Sequence, residues 1–494
     1  MRITAQPTEG FFALGVQASN LGLSIHQRYS RWWMTCLLAL SDLGGLLLSC
    51  SLAVGLRATL WNDLQDPQTY LRFTPLLGLF FISYASRGLY PGVGLSPVEE
   101  MRRLTISTSI VFLIIAAVSA FTHTAGSYSR LIFFLAWFFS LIFVQLGRWL
   151  LRLVAVRCAL WGEPVAVVGY GPQGQKVVQY LLKNMHMGLR PVLVIDGLGQ
   201  DKDLAAPVPK LRLDETGANT TPLRFAGIHT AILVITEMPL SLQDDIVDQQ
   251  SFGFKRLILI SNMSWVGSVG ITPYDLEGIL GLEVRRNLLD PWQQTCKRLL
   301  DLVAVLVGGT LFLPILAAIA LLVRLDSPGS PFYGHRRIGK RGENFKTWKF
   351  RTMISGADRV LQDYLAGNPA SRKEWEATQK LKNDPRVTRI GCLLRKLSLD
   401  ELPQLWNVLK GEMSLVGPRP IVDDEVRHYS EGYKLYTQVT PGITGLWQVS
   451  GRSDTGYIDR VRLDEYYVRN WSIWLDIYIL IRTIWVVLRR DGAY

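Results

Sequence analysis

Four runs of almost uncharged residues crowd the first third of the chain, and an ordinary soluble fold has no interior large enough to hide them all. They extend from Trp32 to Leu56, Phe73 to Leu89, Leu104 to Phe121 and Leu131 to Leu146, each near the length that crosses about 30 Å of hydrocarbon. The second carries Ser83, Tyr84 and Ser86 and is the least apolar. The flanking arginines favour one orientation. Arg2, Arg28 and Arg31 before the first run, Arg87, Arg102 and Arg103 in the second connection and Arg148, Arg152 and Arg157 after the fourth outweigh Arg57, Arg72 and Arg130 opposite them. By the excess of basic residues on the cytoplasmic side, both the N-terminus and everything after Arg148 are expected to be cytoplasmic. No small-residue cleavage site follows the first run, so a removable signal peptide is not expected.

Composition supports a chain of two natures. Hydrophobic residues make up 49% of the 494, too many for a disordered polymer, while 19% are charged, too many for a protein wholly buried in lipid. Lys and Arg number 53 against 41 Asp and Glu, a net charge of +12 that points to an anionic partner. Cys36, Cys50, Cys158, Cys296 and Cys392 are scattered with no CxxC pair, which excludes a disulfide scaffold. The six histidines form no HxxxH or HxH spacing, so any metal would have to be held by oxygen.

From Glu163 the chain changes character. Val165 to Gly169 reads as a buried strand, Gly169-Tyr-Gly171-Pro-Gln-Gly174 as a tight turn and Gln175 to Met185 as a helix. A second strand, Val192 to Ile195, ends in Asp196, where a dinucleotide fold places its ribose-binding acid. Strands at Ala231 to Ile235 and Arg256 to Ile260 would complete a Rossmann-like parallel sheet of about four strands. Gly169, Gly171, Gly174 and Asp196 are therefore candidate cofactor-binding residues, although glycines that merely allow a close turn explain the same pattern. The domain could sense a ligand or pair two subunits as a homodimer, and both readings stay open.

Leu302 to Val323 is again long enough to span, but Lys297 and Arg298 precede it and Arg324, Arg336, Arg337, Lys340 and Arg341 follow it. A straight crossing would strand one basic cluster on the wrong side. Pro314, near the middle and close to Gly308 and Gly309, predicts a broken helix that enters and returns through one leaflet. An ordinary fifth crossing with a proline kink is the alternative. Beyond it, Lys349 and Arg351 alternate with Phe350 as on a strand with one face towards a phosphate.

The segment Leu394-Arg-Lys-Leu-Ser-Leu-Asp400-Glu401-Leu-Pro-Gln-Leu-Trp is the most informative. Ser398 followed by Glu401 has the spacing of a capping box, which predicts a helix start with Asp400 in its first turn. The two acids could simply complement a helix dipole. They could also meet a phosphate beside Arg395 and Lys396, which two adjacent carboxylates can do only with a hard cation between, implying Mg²⁺. Asn407 to Pro420, with Gly417-Pro-Arg419-Pro420, and Thr440 to Arg452 read as rigid turns presenting arginines and free backbone N–H groups.

With these motifs in this order, the chain from about Thr295 onward resembles the bacterial polyprenyl-phosphate glycosyl-1-phosphate transferases, the monotopic phosphoglycosyl transferases. The sequence of membrane helices, nucleotide-like domain and catalytic domain resembles their long, galactose- or glucose-transferring members. The resemblance implies transfer of a hexose 1-phosphate from a UDP-sugar to undecaprenyl phosphate with release of UMP, at the cytoplasmic face of a bacterial inner membrane. It implies Asp400 as nucleophile, Glu401 as a ligand of Mg²⁺, and Lys349, Arg351, Arg395, Arg419 and Arg452 as phosphate-binding residues. The expected partners are the UDP-sugar, undecaprenyl phosphate and the lipid bilayer, with no nucleic acid.

The last helix fits a membrane substrate. Trp474, Ile477, Tyr478, Ile481, Ile484, Trp485 and Leu488 recur at helical spacing while Arg482, Arg489 and Arg490 lie off the stripe, as in a helix resting on a bilayer, or one packed on a core. The expected organisation is a segment 1–31, four transmembrane helices 32–158, a Rossmann-like domain 159–265, a linker 266–296, a re-entrant helix 297–325 and an α/β catalytic domain 326–494. Two other readings compete: a membrane scaffold that senses nucleotide, and an NAD-dependent UDP-sugar dehydratase or epimerase. The latter needs a Tyr-x-x-x-Lys pair, and residues 228–265 contain no tyrosine.

Overall fold

The structure, a computed structural model, describes residues 30–61, 74–121, 129–158, 160–196, 207–212, 228–235, 254, 256–260, 271–276, 279–284, 287–378, 381, 384–430, 432–450 and 456–489. The chain forms two compact units, Met1–Met263 and Ser264–Tyr494. Among the described residues, four helices are long and apolar enough to cross a membrane.

Three of them belong to the first unit: α1 (Ser30–Trp61), α3 (Pro97–Phe121) and α4 (Arg130–Arg157). The second apolar run is described in part. Its described part is a 3-10 turn, Thr74–Leu76, followed by α2, Leu77–Ser86. Ten α-helical residues reach only about 15 Å, half the hydrocarbon thickness. The serines and tyrosine are used for packing and bonding, Tyr84 being buried with its hydroxyl 2.7 Å from Thr108 Oγ1. Between α1 and α4, small residues permit close approach. A Cβ on Gly45 would lie 3.0 Å from the Val144 backbone, and one on Gly147 would lie 2.9 Å from Ser41 Oγ.

Charge lies within this bundle. Asp42 interrupts the first apolar run, and it is fully buried, as is Arg148. Arg148 donates to both Asp42 oxygens at 2.7 and 2.6 Å, to Glu100 Oε1 at 3.1 Å and to the Leu89 carbonyl at 3.2 Å. Tyr90 donates to Asp42 Oδ2, and Arg152 donates to both Glu100 oxygens. Two acids and two arginines cancel, so the bundle holds a neutral, bonded network that ties α1, the connection after α2, α3 and α4 together.

The sheet of the first unit is wholly parallel, in the order β3-β2-β1-β4-β5, with strands Glu163–Val168 (β1), Leu189–Asp196 (β2), Lys210–Arg212 (β3), Thr230–Val234 (β4) and Arg256–Ile260 (β5). One strand more than expected is present, because three-residue β3 is too short to leave a periodic signal. Helix α5 (Pro172–Lys183) follows β1 through the glycine turn.

The second unit opens with an antiparallel hairpin, β6 (Ile271–Leu276) and β7 (Ile279–Val284), within the stretch expected to be a linker. Helix α6, Pro291–Asp326, follows. The break expected at Pro314 does not interrupt it: the helix is continuous through the proline. Proline removes one hydrogen bond, to the Thr310 carbonyl, whereas ending the helix in apolar surroundings would expose several backbone groups at once. Both ends of α6 are fastened to the same unit. Lys297 Nζ lies 2.6 Å from Asp476, Arg298 donates to the Val408 and Leu409 carbonyls, and Asp301 accepts from Ser414 Oγ at 2.7 Å and Leu415 N at 3.2 Å. At the other end Ile319 and Val323 pack with Phe350 and Leu394, and Asp326 accepts from Ile390 N. Between them Leu306, Val307, Leu311, Phe312, Leu313 and Ile315 are exposed.

The rest comprises the hairpin β8 (Phe332–Ile338) and β9 (Asn344–Phe350), helices α7 (Ala357–Gly367), α8 (Pro369–Thr378), α9 (Arg389–Lys396) and α10 (Gln404–Lys410), and a parallel pair β10 (Ser414–Val416) and β11 (Gly442–Thr444). Short helices α11 (Val426–Tyr429), α12 (Gly432–Tyr436) and α13 (Leu446–Ser450) precede α14 (Tyr457–Asn470) and α15 (Ile473–Arg489). On α15, Leu475 and Ile479 are buried while Ile477, Ile481, Ile484, Trp485 and Leu488 are exposed.

Asp42→Ala leaves Arg148 buried without its two-oxygen partner and is expected to cost about 3–5 kcal/mol of stability, read as a lower melting temperature in detergent. Arg157→Ala, at an exposed position of the same helix, should change stability by less than about 0.5 kcal/mol.

Candidate active site

The acid pair sits in a single 3-10 turn, Leu399–Glu401, between α9 and α10. The capping box predicted from Ser398 does not form: Ser398 has φ 54° and its side chain caps nothing. The reason lies upstream, where α9 ends at Lys396 and the chain must reverse, so Ser398 takes the left-handed conformation that closes a helix C-terminus. Leu399 and Leu402 then pack beside Phe350, Ile319 and Val323. With its flanking leucines anchored, the turn holds Asp400 and Glu401 at the cleft.

Strand β9 is stitched to α10 by one residue. Asn407, fully buried, accepts from Trp348 N at 3.1 Å and donates to the Lys346 carbonyl at 2.7 Å, so its amide acts as a strand partner for β9. This places Lys349 Nζ 2.5 Å from Glu401 Oε1 and 4.0 Å from Asp400 Oδ2. Burial pushes the Asp400 carboxyl above its ordinary range, Lys349 and Arg395 pull it down, and Glu401 raises it.

The loops rich in Gly and Pro meet across β10 and β11. A Cβ on Gly442 would fall 2.1 Å from Gly417 N and one on Gly417 would fall 2.6 Å from the Thr440 carbonyl, so both positions require glycine. The bonds Gly417 N to Thr444 O and Gly442 N to Pro418 O fix the Pro418–Pro420 turn, and Ile338 N to Ile421 O ties it to the end of β8. The result is a cleft lined by Arg337, Thr347, Lys349, Glu401, Gln404 and Arg419.

Of the residues named from sequence, Asp400, Glu401, Lys349 and Arg419 therefore converge. Arg395 stands just behind, donating Nε to Thr352 Oγ1 at 3.0 Å. Arg351 is placed otherwise. Strand β9 stops at Phe350, the alternation stops with it, and the Arg351 guanidinium donates to the Ser327 and Pro328 carbonyls after α6. Arg452 lies outside the described residues, as does the side chain of Asp196. In the other unit, Gly169 has φ 88°, Gly171 caps α5, and a Cβ on Gly174 would strike the Gly169 carbonyl at 2.3 Å. Close packing accounts for that motif, and Pro172 at the first helical position removes one of the N–H groups a phosphate would use.

Arg337, Thr347 and Gln404 were not legible as site residues. Cross-strand pairing of Arg337 with Phe345 and of His335 with Thr347 puts Arg337 and Thr347 on the face of Lys349, which appears only once the hairpin register is known, while Gln404 opens α10. Behind Arg337 lies a second charged group. Burial, then Arg419, lowers the pKa of Arg337, and Glu425 accepts from Arg460 at 3.0 Å. Arg460 faces the Trp447, Tyr457 and Tyr429 rings at 5.0, 5.0 and 6.0 Å. Buried Asp464 accepts from Tyr429 at 2.7 Å, and burial pushes its carboxyl up to about 7.

Among the described residues no three His, Cys, Asp or Glu side chains group as a metal cage. The adjacent carboxylates of Asp400 and Glu401 suit a hard cation that takes its remaining ligands from substrate oxygens and water.

Two family models match the chain: a bacterial sugar transferase over residues 292–490 and a CoA-binding domain over residues 85–254. The UDP-galactose-lipid carrier transferase of Erwinia amylovora is 38% identical over 402 residues, 80% of this chain and 82% of its own. The undecaprenyl-phosphate galactose phosphotransferase of Salmonella typhimurium is 35% identical over 79% of this chain and 81% of its own. The UDP-glucose:undecaprenyl-phosphate glucose-1-phosphate transferase of Xanthomonas campestris is 31% identical over 70% and 74%.

Because the folded-state pKa of Asp464 stands above the ordinary 3.8, the stability it contributes is full below about 4 and is lost as pH rises through about 7. Melting temperature should fall from pH 5 to pH 8, and Asp464→Asn, which keeps an acceptor for Tyr429, should shrink that fall.

Proposed function

Since the chain belongs to the bacterial sugar transferases, we propose that it transfers a hexose 1-phosphate from a UDP-sugar to undecaprenyl phosphate, releasing UMP, as the first membrane step of exopolysaccharide, O-antigen or capsule synthesis. The observation that carries this reading is Glu401 lining a cleft with Lys349, Arg337 and Arg419, with Asp400 beside it 4.0 Å from the Lys349 ammonium.

The reaction runs in two displacements. An Asp400 oxygen attacks the β-phosphorus of the UDP-sugar, the bridging P–O bond breaks, and its electron pair leaves with UMP. The sugar phosphate stays on Asp400 as an acyl phosphate. An oxygen of undecaprenyl phosphate then attacks the same phosphorus and releases the carboxylate. A carboxylate nucleophile thus divides one hard step into two easier ones. Lys349 favours the ionised form of Asp400 and, with Arg337 and Arg419, meets the charge that grows on phosphate. Mg²⁺ held by Glu401 would neutralise the diphosphate when bound. Arg395 supports Asp400 from behind, and Arg351 secures the turn after α6.

Helix α6 and α15 bring this cleft to the lipid acceptor. Both ends of α6 are held by one unit while its middle is apolar and exposed, which favours a helix that meets the inner membrane from one side over one that carries this unit across it. The exposed side of α15 would lie on the same surface, with the catalytic unit on the cytoplasmic face.

Purified membranes supplied with undecaprenyl phosphate, Mg²⁺ and either UDP-galactose or UDP-glucose should release UMP, and the active donor names the sugar. Asp400→Asn is expected to reduce the rate by at least about a thousandfold, Lys349→Met by about a hundredfold, and chelation of Mg²⁺ should abolish it. Release of UDP in place of UMP would sink the mechanism.

A further inference from the structure

A cavity of about 450 Å³ opens in the first unit where the end of α2 meets the start of α3, far along the chain from the acid pair. Arg87, Arg102 and Arg103 line it against a single acid, Glu99. Arg103 is fixed, its Nε donating to Glu99 at 2.8 Å and its NH1 to the Arg87 carbonyl at 2.8 Å. Arg102 reaches the same carboxylate at 3.3 Å and remains half exposed. The Arg87 side chain has no hydrogen-bond or ion-pair partner among the described residues. Three arginines share one carboxylate, so the cup carries an excess of two positive charges.

Its place in the unit defines what can reach it. The chain continues from the cup to Gly94, whose N–H bonds the Met187 carbonyl of the α/β domain at 2.8 Å, and Arg152 nearby stacks on Trp161 at 5.0 Å. The cup therefore lies at the end of the bundle where the polypeptide leaves the apolar layer. From it, an apolar stripe runs the other way along α3, with one exposed apolar side chain beside it on α2. On α3, Ile106 lines the cup, and Ile110 and Leu113 follow at helical spacing on the same side, exposed. On α2, Ile82 is exposed one turn before Ser86 of the cup.

We propose that this cup binds the headgroup of an anionic diacyl phospholipid, its phosphate between Arg87 and Arg102 and its acyl chains along the α3 stripe and past Ile82. Charge complementarity selects an anionic headgroup over a zwitterionic one. The continuity of the cup with the exposed α3 stripe favours a bilayer lipid over a free phosphate. The site shares no residue with the proposed reaction, so it stands whether or not that reaction is as drawn.

Native mass spectrometry of the full-length protein in detergent tests it, with phosphatidylglycerol, phosphatidylcholine, undecaprenyl phosphate and inorganic phosphate as probes. One phosphatidylglycerol should remain bound where phosphatidylcholine is stripped. Arg87→Gln with Arg102→Gln should weaken its retention at least tenfold while the lipid-free melting temperature stays within the scatter of the wild type. Arg102→Glu alone, which leaves the Arg103–Glu99 pair in place, should do the same, and Arg157→Gln should retain the lipid fully. Equal retention of phosphatidylglycerol and phosphatidylcholine, unchanged retention in the cup variants, or stronger retention of inorganic or undecaprenyl phosphate would each overturn the proposal.

Discussion

The catalytic unit hangs on the charges at the N-terminal end of one apolar helix. Lys297, Arg298 and Asp301 are spaced so that each meets a different element: Lys297 reaches Asp476 of α15, Arg298 the carbonyl end of α10, and Asp301 the strand β10. Asp476 in turn accepts from Tyr467 of α14 at 2.7 Å and from Trp471 at 3.1 Å. One helix end thereby sets the positions of the helix that follows the acid pair, the strand that leads into the Pro418–Pro420 turn and the exposed amphipathic helix. An apolar helix without these charges could lie in lipid, but nothing would fix the cleft relative to it.

The two units handle buried charge in opposite ways. In the helical bundle every carboxylate oxygen of Asp42 and Glu100 accepts a bond from an arginine or a tyrosine, which is what an apolar surrounding demands of charge that is to stay put. Around the acid pair the balance is left open. Lys349 serves two carboxylates, burial and then the Arg419 charge lower the pKa of Arg337, and Asp464 Oδ1 is buried with no hydrogen-bond partner. A closed network rigidifies, whereas a site with surplus cations has electrostatic work still to do when an anion arrives.

Much of this was legible in the sequence where a single segment carried the signal. The long apolar runs, the glycine turn after β1 and the acid pair within its ordered motifs each needed only local text. What failed needed a partner. Ser398 looked like a cap because the reversal after α9 cannot be seen from Ser398 and Glu401 alone. Arg351 looked like a phosphate ligand because nothing in Lys349-Phe-Arg351 announces that the strand ends one residue early. Arg337 went unread because its relation to Lys349 runs across a hairpin. Asp42, in the middle of an apolar run, finds Arg148 more than a hundred residues away.

The second apolar run, described from Thr74 onward, shows how a polar end is satisfied beside an apolar helix. Its described helix spends Tyr84 on Thr108 and ends at Arg87, whose carbonyl takes an Arg103 bond. A helix that stops this early leaves polar backbone and basic side chains at the edge of the bundle, and such an edge is stable only where water, headgroups or protein can satisfy it. The connection after α2 meets that requirement twice over. Leu89 offers its carbonyl to Arg148, and Gly94 bonds the α/β domain. The end of α2 at Ser86 is therefore the condition under which the buried charge network and the α/β domain meet the bundle at one end.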